Sequence, residues 1–228
     1  MRIWHISDTH QYHELLTNQR FDSKIDVVIH SGDCSNYRSP LTNEYEILNF
    51  LPWFAELPIK HKIYVAGNHD TSIERGLITK KDFSDFGITY LENESITING
   101  IKIWGSPYTP NFGNWAFMKD RSKLDLKVWQ YIPEDIHILV THGPPKGVLD
   151  LSLSVDRVLE RCGDSALMKR VFKIKPILHL FGHIHNNKDI VNAGRIKLNT
   201  LDTWFSNGSV VTDGKFGTLS SNGEIFEI

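Results

Sequence analysis

The stretch Ile25-Asp26-Val27-Val28-Ile29-His30-Ser31-Gly32-Asp33 is a short apolar run that ends abruptly in a glycine and an aspartate. An apolar run of this length, bounded by turn residues, is typical of a buried strand in a parallel sheet. The same layout occurs at the start of the chain, where residues 2–7 lead into Asp8-Thr9-His10. The two segments predict strands whose carboxyl ends carry polar side chains.

Three further predicted strands end in the same way. Residues 61–66 lead into Gly67-Asn68-His69-Asp70, residues 136–141 into His142-Gly143-Pro144-Pro145, and residues 177–181 into Gly182-His183-Ile184-His185. Open α/β sheets bind their ligands at the carboxyl edge of the strands. We therefore expect five polar strand ends to meet at one site.

The segments between these strands predict an α/β fold with mixed sheets packed together, in a single domain over 1–228. Residues 42–57 have helical apolar spacing, although Pro52 is expected to kink or break that helix. A second helix is predicted within 154–172. Asn99-Gly100 predicts a tight hairpin between 96–98 and 101–103, and short strands are predicted after residue 188.

Composition excludes several classes of protein. With 228 residues, 40% hydrophobic and 23% charged, and a net charge of −2, the chain is not intrinsically disordered. The missing basic excess argues against a nucleic-acid partner. Two cysteines form no disulfide framework, which favours a reducing, cytoplasmic location. The polar residues within the first eight positions predict neither a signal peptide nor a membrane anchor, and no apolar run approaches the roughly 18 residues that span a bilayer.

The chemistry of the strand ends points to divalent metal ions. Carboxylate, amide and imidazole ligands together suit manganese, iron or zinc. Asp8 and His10 are two residues apart and can face the same side, whereas His183 and His185 could each bind a different ion of a pair. Each motif alone is as easily explained by a turn or a cap. All five in this order, each after an apolar strand, indicate a metal site.

With these motifs together, the chain resembles the calcineurin-like metallophosphoesterases, and within them the MPPED branch of metallophosphoesterase-domain-containing phosphodiesterases. The resemblance covers residues 2 to about 200 and rests on the following segments: Ser7-Asp8-Thr9-His10, Ile29-His30-Ser31-Gly32-Asp33, Ala66-Gly67-Asn68-His69-Asp70, Gly105-Ser106-Pro107, Thr141-His142-Gly143-Pro144-Pro145 and Phe181-Gly182-His183-Ile184-His185. The tail from Trp204 onward matches this branch poorly.

The resemblance implies a four-layer sandwich of two mixed sheets flanked by helices, and a site with two divalent ions, manganese first and iron or zinc as alternatives. It implies that Asp8, His10 and His185 hold one ion, that Asn68, His142 and His183 hold the other, and that Asp33 bridges them. It further implies that His69, positioned by Asp70, protonates the leaving oxygen or stabilises the transition state.

Other residues near the motifs have two interpretations each. The aromatic loop 107–117 could cover the site and stack a base on Trp115 or Phe112, or its aromatic residues could only hold the loop to the body of the domain. We expect His30 to pack behind the site, with substrate contact as the alternative. His179 is expected to be a hydrogen-bonded core residue, and His13 to be exposed rather than at the pocket rim.

The predicted function is hydrolysis of a small phosphodiester (including a cyclic nucleotide) or phosphomonoester by water activated between two metal ions. Three alternatives remain. A protein phosphatase is disfavoured because Gly32-Asp33 continues into Cys34-Ser35-Asn36 and not into the Asp-Arg-Gly pattern of those enzymes. A repair nuclease is disfavoured by the slightly acidic charge. A catalytically weak metal-binding scaffold is disfavoured because every ligand position is filled.

Overall fold

The computed structural model describes residues 1–16, 24–154, 156–213 and 217–228. The strands are β1 Arg2–Ile6, β2 Val27–His30, β3 His61–Tyr64, β4 Thr89–Tyr90, β5 Glu94–Ile98, β6 Ile101–Ser106, β7 Thr109–Pro110, β8 Met118–Lys119, β9 Ile138–Thr141, β10 Leu151–Leu153, β11 Leu159–Arg161, β12 Leu178–Phe181, β13 Gly194–Lys197, β14 Trp204–Asn207 and β15 Glu224–Glu227. The α-helices are α1 Pro40–Glu56, α2 Thr71–Glu74, α3 Lys80–Asp85, α4 Arg121–Lys127 and α5 Ser165–Ile174, with 3₁₀ turns at His13–Leu16 and Trp129–Tyr131.

Two large sheets form the centre of the fold. One has the strand order β15-β1-β2-β3-β4, and the other has the order β13-β14-β12-β9-β6-β5. In the first sheet β1, β2, β3 and β4 are parallel, and β15 is antiparallel at the edge. In the second, β6, β9, β12 and β14 are parallel, while β5 and β13 are antiparallel edge strands. Both sheets are mixed, as predicted.

Three apolar clusters bind these layers together. The cluster between the sheets joins residues such as Ile29 of β2 to Val140 of β9. A second cluster packs Phe50 and Phe54 of α1 against the outer face of the first sheet, and a third packs Val171 of α5 against the second sheet. The order helix, sheet, sheet, helix confirms the predicted four-layer sandwich. No helix in the described residues has the length and apolar character that a membrane crossing requires.

The helix predicted over 42–57 is present as α1, and it runs through Pro52 without the break that was given as one outcome. Pro52 and Leu48 both lie on the exposed side of α1, so water can bond the Leu48 carbonyl that loses its helical donor. The helix predicted within 154–172 is also present, but it begins only at Ser165 and continues to Ile174. The earlier part of that segment holds strand β11 of the β10–β11 hairpin, and residue 155 lies outside the described residues. The Asp164 side chain accepts the Leu167 N–H and caps α5.

The hairpin at Asn99-Gly100 is confirmed. Both residues have positive φ, 51° and 81°, as a tight two-residue turn between antiparallel strands requires. The strands predicted after residue 188 are also present, and they complete both sheets. β14 pairs with β12 in the second sheet, and β15 pairs with β1 in the first.

Candidate metal centre

The predicted ligands meet where the carboxyl ends of five parallel strands open onto one edge of the two sheets. They follow β1, β2, β3, β9 and β12. Four of them have left-handed backbones, with φ of 53° at Asp8, 41° at His10, 60° at Asp33 and 71° at His183. Residues other than glycine rarely adopt this backbone conformation, and positions that do so cluster at functional sites. The sharp turns direct the side chains inward.

One group of ligand atoms contains Asp8, His10 and His185. The Nε2 atom of His185 lies 3.1 Å from Asp8 Oδ1, and the Nε2 atoms of His10 and His185 are 3.3 Å apart. All the ligand atoms of this group lie within 4.8 Å of one another. These are the three residues that the family resemblance assigned to the first ion.

A second group contains Asp33, His142 and His183, again with ligand atoms within 4.8 Å of one another. The Nε2 atom of His142 is 3.2 Å from Asp33 Oδ2 and 3.0 Å from Asn68 Oδ1. A third group joins Asp33 to His10 and His69. Asp33 therefore stands between the two sets of ligands, in the position that a bridging carboxylate needs.

The donor chemistry of these residues fits divalent cations. His10 donates from Nδ1 to the Ser35 carbonyl at 3.0 Å, and His142 donates from Nδ1 to the Ser31 carbonyl at 2.8 Å. Each ring then presents the lone pair of Nε2 to the centre, which is the arrangement of a metal-binding histidine held by a backbone carbonyl. Imidazole nitrogens that face one another and two carboxylates are a donor set suited to a divalent cation.

Two glycines leave the space that the carboxylates occupy. A Cβ atom added to Gly182 would lie 2.0 Å from Asp8 Oδ2, and one added to Gly67 would lie 2.2 Å from Asp33 Oδ1. Neither carboxylate could keep its place beside a larger residue. The Gly-His-x-His and Gly-Asn-His-Asp motifs thus need their glycines for a steric reason.

The carboxylates are also held by hydrogen bonds from the chain. Asp8 Oδ2 accepts the His183 N–H and the Ser209 hydroxyl, both at 2.9 Å, and Asp33 Oδ1 accepts the His69 N–H at 2.7 Å. Although burial raises the pKa of Asp8, the charge of His185 and its hydrogen bond hold that pKa well below its ordinary value. Burial raises the pKa of Asp33 too, but the charge of His142 likewise lowers it below its ordinary value, so both carboxylates are ionised at neutral pH.

The histidines divide into two electrostatic classes. Burial lowers the pKa of His10 to about 4 and that of His183 to about 3, so both rings are neutral at pH 7. At His142 burial acts in the same direction, but the charge of Asp33 and its hydrogen bond raise the pKa to about 9. A divalent ion at this centre would take the place of the proton on His142.

His69 lies beside the ligands, but its ring is not held by Asp70 as predicted. Its Nδ1 atom donates to the carbonyl of Asn36 at 2.8 Å, and its ring meets the ring of His10 edge-on at 4.8 Å between centroids. The Asn43 side chain donates to the His69 carbonyl at 2.8 Å. The Asn36 carbonyl, and not Asp70, therefore orients the imidazole.

Asp70 is a buried acceptor that ties together the loops of the site, which corrects its predicted catalytic role. Its Oδ2 atom accepts the backbone N–H groups of Asp33 at 3.0 Å and Gly67 at 2.7 Å, and the Tyr64 hydroxyl at 2.6 Å. Its Oδ1 atom accepts the Ser35 hydroxyl at 2.7 Å and the Ser35 N–H at 3.3 Å. All of these partners belong to the β2 and β3 strand-end segments.

A cavity of about 620 Å³ opens in front of the ligands, and Trp115 and Phe112 line it. The Trp115 ring lies 4.1 Å from the His69 ring between centroids, and the Arg38 guanidinium carbon lies 3.4 Å from the Trp115 centroid. The indole therefore packs against two groups of the protein and also lines the cavity. Phe112 is 55% exposed, and its ring lies 5.1 Å from the His183 ring between centroids.

The other histidines lie behind the site. His30 is fully buried between Phe50 and Tyr64, accepts or donates at Thr9 Oγ1 at 3.1 Å, and does not line the cavity, so substrate contact by His30 is ruled out. His179 pairs with the Thr141 hydroxyl at 2.9 Å in the core, as predicted. The prediction that His13 is exposed was wrong, because its ring is buried against Phe50.

Comparison with known proteins agrees with this geometry. The sequence profile described as calcineurin-like phosphoesterase matches residues 1–187. The chain belongs to this family. Metallophosphoesterase domain-containing protein 1 of Homo sapiens is 33% identical over 210 residues, 82% of this chain. Those residues are 60% of the human protein, so the chain spans less than two thirds of that relative's length.

Two further proteins are similar over most of this phosphoesterase domain. A UPF0046 protein of Caenorhabditis elegans is 31% identical over 208 residues, which are 85% of this chain and 67% of that protein. The crystal structure of a phosphopantetheinyl hydrolase from Mycobacterium tuberculosis has a TM-score of 0.56 at 15% identity, and covers 91% of this chain and 88% of that one. The last likeness is one of fold alone. The family match and the two relatives confirm the predicted family, and the structural likeness agrees with the fold.

Several residues of this phosphoesterase site were missed in the sequence. Ser209, which holds Asp8, lies in the tail that matches the MPPED branch poorly. Asn36 acts through its backbone carbonyl, which no sequence pattern identifies. Arg121 and Arg161 line the cavity far along the chain from any motif. The one signal available in the sequence was for Ser209, a serine shortly after a late strand. Serines in such positions are too common to be informative.

Proposed function

We propose that this domain hydrolyses a phosphodiester bond of a small, nucleotide-like substrate with two divalent ions, manganese first and iron or zinc as alternatives. The observation that carries the proposal is that two ligand groups, Asp8-His10-His185 and Asp33-His142-His183, meet at one cavity, and that a third group, His10-Asp33-His69, connects them. Asp8, His10 and His185 would hold one ion, Asn68, His142 and His183 the other, and Asp33 both.

When bound, two such ions would withdraw charge from the phosphoryl oxygens and lower the pKa of the attacking water. The chain's own residues do the rest. Backbone and hydroxyl donors hold the Asp8 and Asp33 carboxylates in position, so these candidate ligands are in place before substrate arrives. Such preorganisation avoids rearrangement during the reaction.

His69 would move the proton to the leaving group. Because its Nδ1–H is donated to the Asn36 carbonyl, its Nε2 is the atom available to the cavity. In the protonated ring, that Nε2–H can be donated to the departing oxygen. The stack on Trp115 keeps the ring from turning. General acid assistance of this kind contributes typically 10²–10⁴-fold.

The substrate class rests on the walls of the cavity. Phe112 offers an exposed aromatic face near the ligands, and base stacking on such a face is worth roughly 1–3 kcal/mol. Arg38 covers Trp115 and does not line the cavity, so it does not supply the phosphate contact of a protein phosphatase. A small nucleotide-like diester is favoured over a phosphoprotein.

The test is hydrolysis of bis(p-nitrophenyl) phosphate and of p-nitrophenyl phosphate by metal-free protein reloaded with manganese, zinc or magnesium, with metal content measured in parallel. We expect about two ions per chain and faster diester hydrolysis. Asp33→Asn should lose ions and activity together. The matched control is Asp202→Asn, at an aspartate that is 92% exposed and paired with Lys197.

Activity that survives complete metal removal would overturn the proposal, and so would protein that takes up no ion on reconstitution. Faster monoester hydrolysis would support the metal centre but show that the substrate is a phosphomonoester and not a phosphodiester. Two bound ions with no hydrolysis of either ester would favour the scaffold alternative.

A further inference from the structure

The cavity continues beyond the metal ligands to a wall that carries two arginines. Arg121 begins α4 and Arg161 ends β11, and both line the same cavity as His183 and His185. Nothing in the proposed metal chemistry uses them. Arginine presents a planar set of donors that matches the oxygens of a phosphate.

Each guanidinium is fixed by a buried carboxylate. Arg121 Nη1 donates to Asp164 Oδ2 at 3.1 Å, and Arg161 Nη1 donates to Asp150 Oδ1 at 2.8 Å. The two aspartates are 1% and 0% exposed, whereas the arginine side chains are 50% and 49% exposed. The buried aspartates therefore hold the two guanidinium groups in place, while about half of each arginine side chain stays exposed.

Each arginine forms a neutral pair with its aspartate, but neither carboxylate depends on its arginine alone. Asp164 also accepts the Leu167 N–H at 2.8 Å and the Trp129 indole N–H at 3.1 Å. Asp150 also accepts the N–H groups of Gly147 at 2.8 Å and Gly163 at 3.2 Å. Arg121 donates further to the carbonyls of Gly163 at 3.0 Å and Cys162 at 3.2 Å. A guanidinium has five N–H groups, so both half-exposed arginines keep donors beyond those that these bonds use.

We propose that Arg121 and Arg161 form a second anion subsite, which binds a phosphate group of the substrate other than the one that is hydrolysed. This proposal rests on the function proposed above, and it narrows the substrate to a nucleotide-like phosphoester that carries an additional phosphate. A cavity of about 620 Å³ has room for such a molecule, since the pockets that bind drug-sized ligands measure roughly 300–1,000 Å³.

The test compares two chromogenic diesters with the same scissile bond, the p-nitrophenyl ester of thymidine 5′-phosphate with and without a 3′-phosphate. In the metal-loaded enzyme at low ionic strength we expect kcat/KM to be about tenfold higher for the substrate with the 3′-phosphate, as one or two half-exposed charged hydrogen bonds provide. Arg121→Gln/Arg161→Gln should reduce this preference to less than about twofold.

The matched control is Arg195→Gln, an arginine that is 51% exposed and paired with Glu224 outside the cavity, and it should keep the wild-type preference. Arg121→Lys/Arg161→Lys keeps both charges for the buried aspartates and should retain an intermediate preference, which separates a folding defect from loss of the subsite. Equilibrium binding of thymidine 3′,5′-bisphosphate against thymidine 5′-phosphate gives the same ratio without turnover.

Equal rates of wild-type enzyme on the two diesters, with equal affinity for the two nucleotides, would overturn the second subsite while leaving the phosphodiesterase intact. A preference that survives in the Gln double variant would also overturn it. Failure of the proposed function looks different, because metal-loaded wild-type enzyme would then hydrolyse neither diester.

Discussion

Replacement of Asp70 by asparagine separates a structural role from a catalytic one. The change keeps the shape of the side chain but turns one of its two acceptor oxygens into a donor. If the remaining oxygen stays at the Oδ2 position, the N–H groups of Asp33 and Gly67 keep their partner, and the Ser35 N–H loses its own. The alternative orientation leaves two buried N–H groups unpaired.

The magnitude follows from these contacts. Leaving one buried N–H without an acceptor costs about 1–3 kcal/mol, and the bonds that remain lose the strength of a charged acceptor. We therefore expect Asp70→Asn to lower the free energy of unfolding by about 2–4 kcal/mol. Because the loosened loops carry Asp33 and Asn68, metal affinity should also fall about 10–100-fold, as it does when groups that orient metal ligands are removed.

The assay is denaturant unfolding of metal-free protein, so that ion binding does not contribute, followed by metal titration of the folded variant. Tyr64→Phe is the graded control: it removes one donor to Asp70 Oδ2 and the long 3.4 Å contact that the Tyr64 hydroxyl accepts from the Cys34 N–H, and it should cost about 1–2 kcal/mol. Suppose instead that Asp70→Asn unfolds within about 0.5 kcal/mol of wild type, binds both ions, and turns over as slowly as His69→Asn. Asp70 would then act through His69, as the sequence predicted.

Two further predictions concern histidines. His69→Asn should leave both ions bound and slow turnover about 10²–10⁴-fold with an alkoxide leaving group, but less with p-nitrophenolate, which needs no proton; loss of metal in this variant would make His69 a ligand. Burial lowers the pKa of His13 to about 4, below its ordinary value of 6.5, so the folded state binds fewer protons than the unfolded state between these values. Its contribution to stability is therefore complete above pH 6.5 and is lost as the pH falls towards 4. The free energy of unfolding of His13→Phe minus that of wild type should rise by about 2 kcal/mol between pH 7 and pH 5, and a constant difference would show that His13 has an ordinary pKa.

Part of the candidate metal centre could be predicted from the sequence for a physical reason. Parallel strands bring their carboxyl ends to one edge of a sheet, so Asp8 and Asp33, which follow β1 and β2 of the first sheet, lie side by side. His142 follows β9 of the second sheet, and only the packing of the two sheets brings it to them. The hairpin at Asn99-Gly100 was predictable on equally local grounds, because only a few residue types accept the backbone of that turn.

The partners of the residues around the ligands depended instead on how distant segments pack. Ser209 reaches Asp8 across 201 residues of chain, and the Asn36 carbonyl, 33 residues before His69, takes the place that the sequence had assigned to Asp70. Trp115 was predicted either to stack a base or to hold its loop to the domain, and its contacts with His69 and Arg38 come from segments far apart in the sequence. The residues of a strand and of the turn after it decide where the strand ends. The partner of a hydrogen bond or a ring contact depends instead on which distant residues the fold places nearby.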